Sequence, residues 1–194
     1  MFVSTPGQQV LALEAATGKI LWRYRHTLPQ GVVLLHPTSR GVALYGDKVF
    51  FAAGDATLIA LNAKTGEEVW TKNVAENKNG YYMSLAPMVA DGKVIVGASG
   101  GELGIRGFVA AFQAETGEEM WRAYTVPAPG EPGSETWKGG DWQHGGASVW
   151  VTGSYDPELD LVYWGTGNGG ASQSSPHHGT SLRCKAGWMA NAKR

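Results

Sequence analysis

The sequence predicts an all-β protein that forms part of a β-propeller, and three observations lead to this prediction. A motif of the form A-φ-x-A-x-T-G-x-x-x-W, in which φ is apolar, occurs three times and ends at Trp22, Trp70 and Trp121. Repeats of about 50 residues are typical of propeller blades and repeat arrays. Glycine supplies 28 of the 194 residues, which suits a turn-rich β protein. No segment of ten or more residues has the 3.6-residue apolar periodicity of a helix.

Each repeat predicts a hairpin, because an apolar strand leads into a turn at T-G and a second strand carries the tryptophan. Further strands are predicted at Lys48–Ala52 and Lys93–Val96, each after a turn. A fourth hairpin turns at Asp156-Pro157 and returns through Leu161–Trp164. With about four strands in each ~50-residue unit, residues 1–170 form three blades and part of a fourth. Since propellers close with 4–8 blades, the chain is expected to be a fragment of one.

Two regions depart from the repeat. The segment Pro127–Trp142 is a long loop rich in proline and glycine that carries two tryptophans. It is either a functional loop or a surface excursion anchored by its indoles, and the sequence leaves both open. Residues 171–194 have neither strand alternation nor a blade motif, so we expect a disordered tail or a segment foreign to the fold.

Composition excludes several classes of function. Lysine and arginine total 16 against 17 acidic residues, so the chain has no basic patch for nucleic acid or an anionic membrane. One cysteine, Cys184, excludes an internal disulfide and a cysteine-based zinc site. Walker and H-E-x-x-H motifs are absent. The run G-T-G-N-G-G at 165–170 matches a dinucleotide fingerprint, but no helix is predicted after it.

Three more blocks carry a resemblance to a known family: G-A-S-G-G-E-L-G-I-R-G at 97–107, G-G-A-S-V-W at 145–150 and W-G-T-G-N at 164–168. With the repeats, they closely resemble the alcohol dehydrogenases that depend on pyrroloquinoline quinone (PQQ). The resemblance covers about residues 1–170. It implies an eight-bladed propeller with the quinone and a Ca²⁺ ion near its axis, of which this chain would be about a third.

The resemblance implies two metal ligands. Glu102 matches the family's carboxylate ligand to Ca²⁺, and Asn168 matches its amide-oxygen ligand. Both supply the hard oxygen donors that Ca²⁺ prefers. The alternative is that they are an ordinary turn glutamate and turn asparagine. A lanthanide in place of Ca²⁺ is also left open.

The resemblance further implies that a group of residues contacts the quinone. Trp150 matches the indole beneath the quinone ring, although a strand tryptophan is otherwise usually part of the core. Arg40 suits a carboxylate of the cofactor, because a guanidinium forms paired hydrogen bonds with it. For the three serines, ordinary turn hydroxyls remain an alternative. The expected cofactor-binding residues are Arg40, Ser84, Ser99, Gly100, Gly101, Ser148 and Trp150. Trp22, Trp70 and Trp121 match the family's blade-docking tryptophans.

The chain also departs from the family. Where the family typically has two adjacent cysteines that form a disulfide ring over the quinone, this chain has Leu34 and Leu35. An apolar pair can still cap the quinone. The family's catalytic aspartate lies a few tens of residues beyond the matching asparagine, whereas this chain has no aspartate after Asp160. A glutamate that contacts the cofactor from the first blade would fall before Met1. We therefore expect this polypeptide to be inactive alone.

By resemblance, the parent protein oxidises a small alcohol to an aldehyde and passes electrons to a cytochrome c or a quinone pool. The family works in the periplasm or on the outer face of the inner membrane, although this chain shows no signal peptide. A sugar-oxidising quinoprotein is one alternative. A non-enzymatic propeller scaffold with PQQ-like repeats is the other, and Arg40, Glu102, Trp150 and Asn168 together argue against it.

Overall fold

The computed structural model describes residues 1–137 and 139–169, and the backbone of a strand at 188–191. It consists of four antiparallel sheets that follow one another along the chain, and in each sheet consecutive strands are hydrogen-bonded neighbours. This is the predicted all-β propeller architecture, with two complete four-stranded blades between two three-stranded ones. Within the described residues, no helix has the length and apolar character needed to cross a membrane.

The first two sheets contain seven strands. Those of the first sheet are β1 (Phe2–Thr5), β2 (Gln9–Leu13) and β3 (Ile20–Arg25). Those of the second are β4 (Val42–Tyr45), β5 (Lys48–Ala52), β6 (Thr57–Asn62) and β7 (Glu68–Asn73). The strand β5 has the bounds predicted for Lys48–Ala52, because a turn at Gly46-Asp47 precedes a short, continuous apolar run.

The last two sheets contain the other seven strands. Those of the third sheet are β8 (Met88–Ala90), β9 (Lys93–Gly97), β10 (Phe108–Gln113) and β11 (Glu119–Tyr124). Those of the fourth are β12 (Ser154–Asp156), β13 (Leu161–Trp164) and β14 (Trp188–Asn191). The hairpin predicted at Asp156-Pro157 is the β12–β13 pair. The rest of the predicted tail at 171–194 lies outside the described residues.

Within the described residues, four short 3₁₀ turns lie in the connections between strands: Asn77–Asn79, Gly101–Leu103, Ser134–Thr136 and Asp141–His144. The second of these carries Glu102. Each is only three or four residues long, as expected for this strained helix type. None of these four turns interrupts a strand. The strands have irregularities of their own, which are register shifts in the pairs β2–β3, β6–β7 and β10–β11.

The core lies between successive sheets rather than inside any one of them. Along β5, Phe50 belongs to the apolar cluster shared with the third sheet, whereas Val49 and Phe51 belong to the cluster shared with the first sheet. Adjacent side chains of a strand point to opposite faces, so one strand serves both interfaces. All five residues of β5 and of β9 are buried for this reason.

Two of the three repeated tryptophans, Trp22 and Trp70, dock their own sheet against the next one. The Trp22 indole Nε1 donates to the Ala63 carbonyl at 3.0 Å, and the Trp70 Nε1 donates to Ala114 at 3.1 Å. Each indole lies over the glycine of the next T-G turn, where a Cβ atom would come within 2.7 Å of the ring. The buried Trp121 Nε1 has no hydrogen-bond partner among the described residues. The repeat is therefore an inter-blade contact, with glycine required at its turn.

We expect Trp70→Phe to destabilise the protein by about 1–2 kcal/mol more than Trp121→Phe. Both changes replace an indole by a smaller phenyl ring. Only Trp70→Phe also removes a hydrogen bond, which leaves the buried Ala114 carbonyl without its donor. Urea denaturation of both variants measures the difference. Equal losses of stability would show that the Nε1 bond contributes nothing to blade docking.

Candidate functional site

All nine residues predicted to bind cofactor or metal line two adjoining pockets. The first, of about 350 Å³, is lined by Arg40, Ser84, Ser99 and Gly100. The second, of about 600 Å³, is lined by Gly101 and Asn168. Both are lined by Glu102, Ser148 and Trp150. The two pockets therefore form one continuous site, built from the connections after β3, β7, β9, β11 and β13.

Backbone pairing around Gly146 brings the two predicted metal ligands to the same pocket. The Gly146 N–H donates to Ile105 at 2.8 Å, and its carbonyl accepts from the Gly107 N–H at 2.9 Å. On the other side, the Ala147 N–H donates to the Asn168 carbonyl at 2.9 Å. The connection that carries Glu102 and the one that carries Asn168 thus flank the segment 145–150. Backbone hydrogen bonds of Gly146 and Ala147, rather than side-chain contacts, bring these two connections together.

The turn that presents Glu102 depends on glycine. Gly100 has φ of +114°, and a Cβ atom there would collide with the Gly80 carbonyl oxygen. The Leu103 N–H closes the turn by donating to the Gly100 carbonyl at 2.8 Å. The Glu102 side chain is exposed and forms no ion pair or hydrogen bond with other described residues. The turn therefore offers a carboxylate that is available to a ligand.

Arg40 is fixed beside the indole. Its Nη1 donates to the Ser84 carbonyl at 3.0 Å and to the Ser84 hydroxyl at 2.8 Å. Its guanidinium carbon lies 4.9 Å from the centre of the Trp150 ring. The Ser84 hydroxyl also lies 3.0 Å from that of Ser99, and both serines are buried. Because only Nη1 of the guanidinium is used in these hydrogen bonds, its other N–H groups can donate to a planar anion such as a carboxylate.

Trp150 is not a core residue, although its position next to a strand would suggest one. It is 43% exposed and lines both pockets, whereas Trp164 is 4% exposed. Two anchors hold its backbone: Val149 is buried against Gly97, and the Trp164 Nε1 donates to the Val151 carbonyl at 2.7 Å. A flat apolar face is thus presented to the site from a rigid segment, which is the arrangement that ring stacking needs.

Three residues of the first pocket were not predicted from the sequence: His36, Thr38 and Tyr82. The first two alternate with Arg40 along the segment after β3, and a two-residue spacing from Arg40 is the signal that could have found them. Tyr82 stands two residues before Ser84 in the same way. Burial, followed by the nearby Glu102 charge, raises the pKa of Tyr82, so its phenol stays protonated. It adds a neutral hydroxyl to the site.

Neither Leu34 nor Leu35 lines the two pockets. Leu34 packs on Gly54, where a Cβ atom would come within 2.9 Å of its Cδ2, and Leu35 is 42% exposed. The suggestion that an apolar pair caps the quinone therefore has no support in their positions. Leu34 is half-buried and lies against Gly54 rather than at the two pockets.

The excursion Pro127–Trp142 is anchored on the third sheet. The Arg106 guanidinium lies between the rings of Tyr124 and Trp142, at 3.9 and 4.8 Å, and its Nε donates to the Val126 carbonyl at 2.8 Å. None of the described residues of the excursion lines either pocket. Of the two possibilities left open by the sequence, the contacts favour a surface excursion. The Trp137 ring of the excursion also packs on Gly145, at the start of the segment 145–150.

The donor set suits a hard cation such as Ca²⁺ or a lanthanide. A carboxylate and an amide oxygen line one solvent-accessible pocket, beside the Ser148 hydroxyl. Among the described residues, no cluster of three or more His, Cys, Asp or Glu side chains could hold a metal by itself. An ion here would need further oxygen donors from a bound ligand, water or other protein groups. The residues present fit part of a coordination shell.

Three comparisons with known proteins, by family model, by sequence and by structure, indicate the same family. The model of the PQQ glucose/ethanol/alcohol dehydrogenase β-propeller domain matches residues 1–181. The chain is 42% identical over 186 residues to the quinoprotein alcohol dehydrogenase PedH of Pseudomonas putida, which covers 87% of this chain and 31% of PedH. A europium-containing methanol dehydrogenase superposes with a TM-score of 0.81 at 35% identity, covering 88% of this chain and 34% of that one.

A second kind of propeller is similar in fold alone. BamB of Moraxella catarrhalis superposes with a TM-score of 0.59 at 19% identity, over 85% of this chain and 43% of BamB. The chain spans about a third of the length of PedH. It spans 26% of the quinohemoprotein alcohol dehydrogenase ADH IIB and 35% of a quinoprotein ethanol dehydrogenase, both of Pseudomonas putida. The similarity in sequence thus lies with the dehydrogenases.

Proposed function

The chain belongs to the family of PQQ-dependent glucose, ethanol and alcohol dehydrogenase β-propellers, and we propose that it supplies part of the cofactor site of an alcohol dehydrogenase. The observation that carries this proposal is the shared pocket of Glu102, Asn168 and Trp150. Two hard oxygen donors beside an exposed indole suit a cation bound at the edge of a flat, electron-rich cofactor.

Each residue has a distinct part in the proposed site. Glu102 and Asn168 hold Ca²⁺ through their oxygens, Trp150 stacks beneath the cofactor ring, and Arg40 binds a cofactor carboxylate. The buried hydroxyls of Ser84, Ser99 and Ser148 donate to or accept from its polar edge, and Gly100 and Gly101 let the backbone approach it. When bound, the quinone accepts two electrons from the alcohol and the cation polarises its reacting carbonyl.

We propose that the 194-residue polypeptide binds PQQ but does not turn over. Oxidation of an alcohol needs a base that takes the hydroxyl proton, and a positioned base contributes about 10²–10⁴-fold in rate. In the family that base is an aspartate beyond the matching asparagine, and this sequence has no aspartate after Asp160. The described pockets contain Glu102 as their only carboxylate, and we assign it to the cation.

The setting of the whole protein is part of the proposal. We propose a small primary alcohol as substrate, a cytochrome c or a quinone pool as electron acceptor, and a periplasmic location. These follow from family membership. Ca²⁺ is the proposed ion, and the europium in one similar structure makes a lanthanide the alternative. A sugar substrate is the alternative within the same chemistry.

A scaffold propeller is the competing function, and the pocket argues against it. A protein that binds partners through sheet edges has no need for an unpaired carboxylate, a stacked guanidinium and an exposed indole in one site. The BamB similarity, at 19% identity, extends to the fold only.

Quenching of tryptophan fluorescence by PQQ tests the proposal. We expect the chain to bind PQQ in the presence of Ca²⁺, and Arg40→Gln to weaken binding by at least about tenfold, because it removes a charged donor. Arg23→Gln, on an exposed strand, is the matched control and should change nothing. Absence of binding, or equal effects of the two substitutions, would contradict the proposal. Dye-linked alcohol oxidation by the same chain would contradict the assignment of no turnover.

A further inference from the structure

A third cavity, separate from the two pockets of the proposed cofactor site, is lined by the first sheet and the connection that leads to the second. It has a volume of about 440 Å³, within the range of small-molecule sites. Its polar lining comes from Gln8, Arg25, His26 and Thr27, and Leu34 and Pro37 are among its apolar residues. We call it the β1–β3 cavity, because these residues belong to the turn between β1 and β2 or to the end of β3 and the connection after it.

One segment separates this cavity from the cofactor site. Leu34 and Pro37 face the β1–β3 cavity, whereas His36, Thr38 and Arg40 line the first pocket. The wall between the two spaces is therefore a single layer of chain. The two sites share no lining residue, so a ligand in one does not occupy the other.

The polar groups at the base of the cavity are fixed. The Gly54 N–H donates to the Gln8 Oε1 at 2.8 Å, and the His26 Nε2 lies 2.7 Å from the Asp55 Oδ2. Burial alone would raise the pKa of Asp55, but the hydrogen bond and charge of His26 outweigh it and lower the pKa. A buried, ionised carboxylate thus orients the imidazole, and the other ring nitrogen remains for a ligand.

The groups left without a partner are mainly donors. Gln8 is 8% exposed, and its Nε2 forms no hydrogen bond with another described residue. The Arg25 guanidinium forms no ion pair or hydrogen bond within the described part of the chain, and neither does the Thr27 hydroxyl. An amide N–H and a guanidinium call for an acceptor. The described lining contains no carboxylate, and Asp55, which contacts it, is paired with His26.

We infer that the β1–β3 cavity binds a small organic carboxylate. The carboxylate accepts hydrogen bonds from Arg25 and the Gln8 Nε2, and a short apolar chain rests on Leu34 and Pro37. The lining combines the donors of Gln8 and Arg25 with the apolar side chains of Leu34 and Pro37, so it suits a ligand that has both a carboxylate and a short apolar part. This inference does not depend on PQQ or on a metal.

Nuclear magnetic resonance titration of the ¹⁵N-labelled chain tests the inference, with butyrate as the probe and butyramide as its neutral counterpart at constant ionic strength. We expect butyrate to shift the amide signals of Gln8, Gly54 and His26 with a Kd on the order of 1 mM. Arg25→Gln should weaken binding by about tenfold, and Arg23→Gln on the same strand should leave it unchanged.

A second variant separates loss of the site from loss of the fold. Gln8→Glu keeps an oxygen for the Gly54 N–H but puts negative charge where the free amide nitrogen stands. We expect it to abolish butyrate binding while the other amide signals stay in place. Three results would overturn the inference. The first is that butyramide binds as tightly as butyrate, and the second is that butyrate causes no shifts at about 50 mM, which is about 50 times the expected Kd. The third is that the two arginine substitutions have equal effects.

Discussion

Glu102→Gln is expected to weaken Ca²⁺ binding by the PQQ-loaded chain by at least about 100-fold. The substitution keeps the size of the side chain and one oxygen donor but removes the negative charge. Glu102 is the only carboxylate among the described residues of either pocket, so no neighbour can replace it. Isothermal calorimetry with Ca²⁺ measures the affinity directly.

The control for this substitution is Glu118→Gln. Glu118 is an exposed carboxylate at the third T-G turn, and it lines neither pocket. It should leave Ca²⁺ affinity unchanged. If Glu102→Gln and Glu118→Gln bind Ca²⁺ equally well, then the ion is not held by Glu102 and the proposed metal site is wrong.

Gly97→Ala is expected to cost about 3 kcal/mol or more of folding stability. Gly97 ends β9, and a Cβ atom there would overlap the Val149 side chain and lie 2.6 Å from the Val149 carbonyl oxygen. Backbone cannot move aside as a flexible side chain can. Because Val149 lies between Ser148 and Trp150, the substitution should also displace the indole and weaken PQQ binding.

Gly165→Ala is the matched control for this second prediction. Gly165 also lines the site, but a Cβ atom there would meet nothing within 4 Å. We expect its urea midpoint to stay near that of the unsubstituted chain, while the midpoint of Gly97→Ala falls sharply. Similar midpoints for the two variants would mean that the segment 148–150 is not packed on β9 as described.

The blades were predictable from the sequence because their signals are local and repeated. The A-φ-x-A-x-T-G-x-x-x-W motif gives a strand, a turn and a second strand within 11 residues, and the structure has these hairpins at β2–β3, β6–β7 and β10–β11. The docking contact, Trp70 to Ala114, spans 44 residues. It was expected only through the family resemblance, since a periodic tryptophan alone does not say what it touches.

The site was predictable in its composition but not in its geometry. Blocks around Glu102, Trp150 and Asn168 identified the residues by resemblance, yet their meeting depends on backbone hydrogen bonds through Gly146 that leave no local signal. The exposure of Trp150 is a tertiary property, set by how Val149 packs on Gly97. His36 and Thr38 were not predicted because their residue types do not indicate that they line the pocket. The turn of Leu34 toward Gly54 was missed for the same reason.

The central claim is that an oxygen-donor site for a cation lies beside the Trp150 ring, and terbium luminescence tests it most directly. Tb³⁺ is a hard cation that takes oxygen ligands, and it emits when a nearby excited indole transfers energy to it. We predict strong emission from the Tb³⁺-loaded chain on indole excitation, a marked fall in Trp150→Phe with Tb³⁺ affinity retained, and no change in Trp22→Phe. Part of the emission should remain in Trp150→Phe, because Trp137 packs on Gly169 at the same pocket. Emission that is unchanged in Trp150→Phe, or that falls equally in Trp22→Phe, would contradict the account.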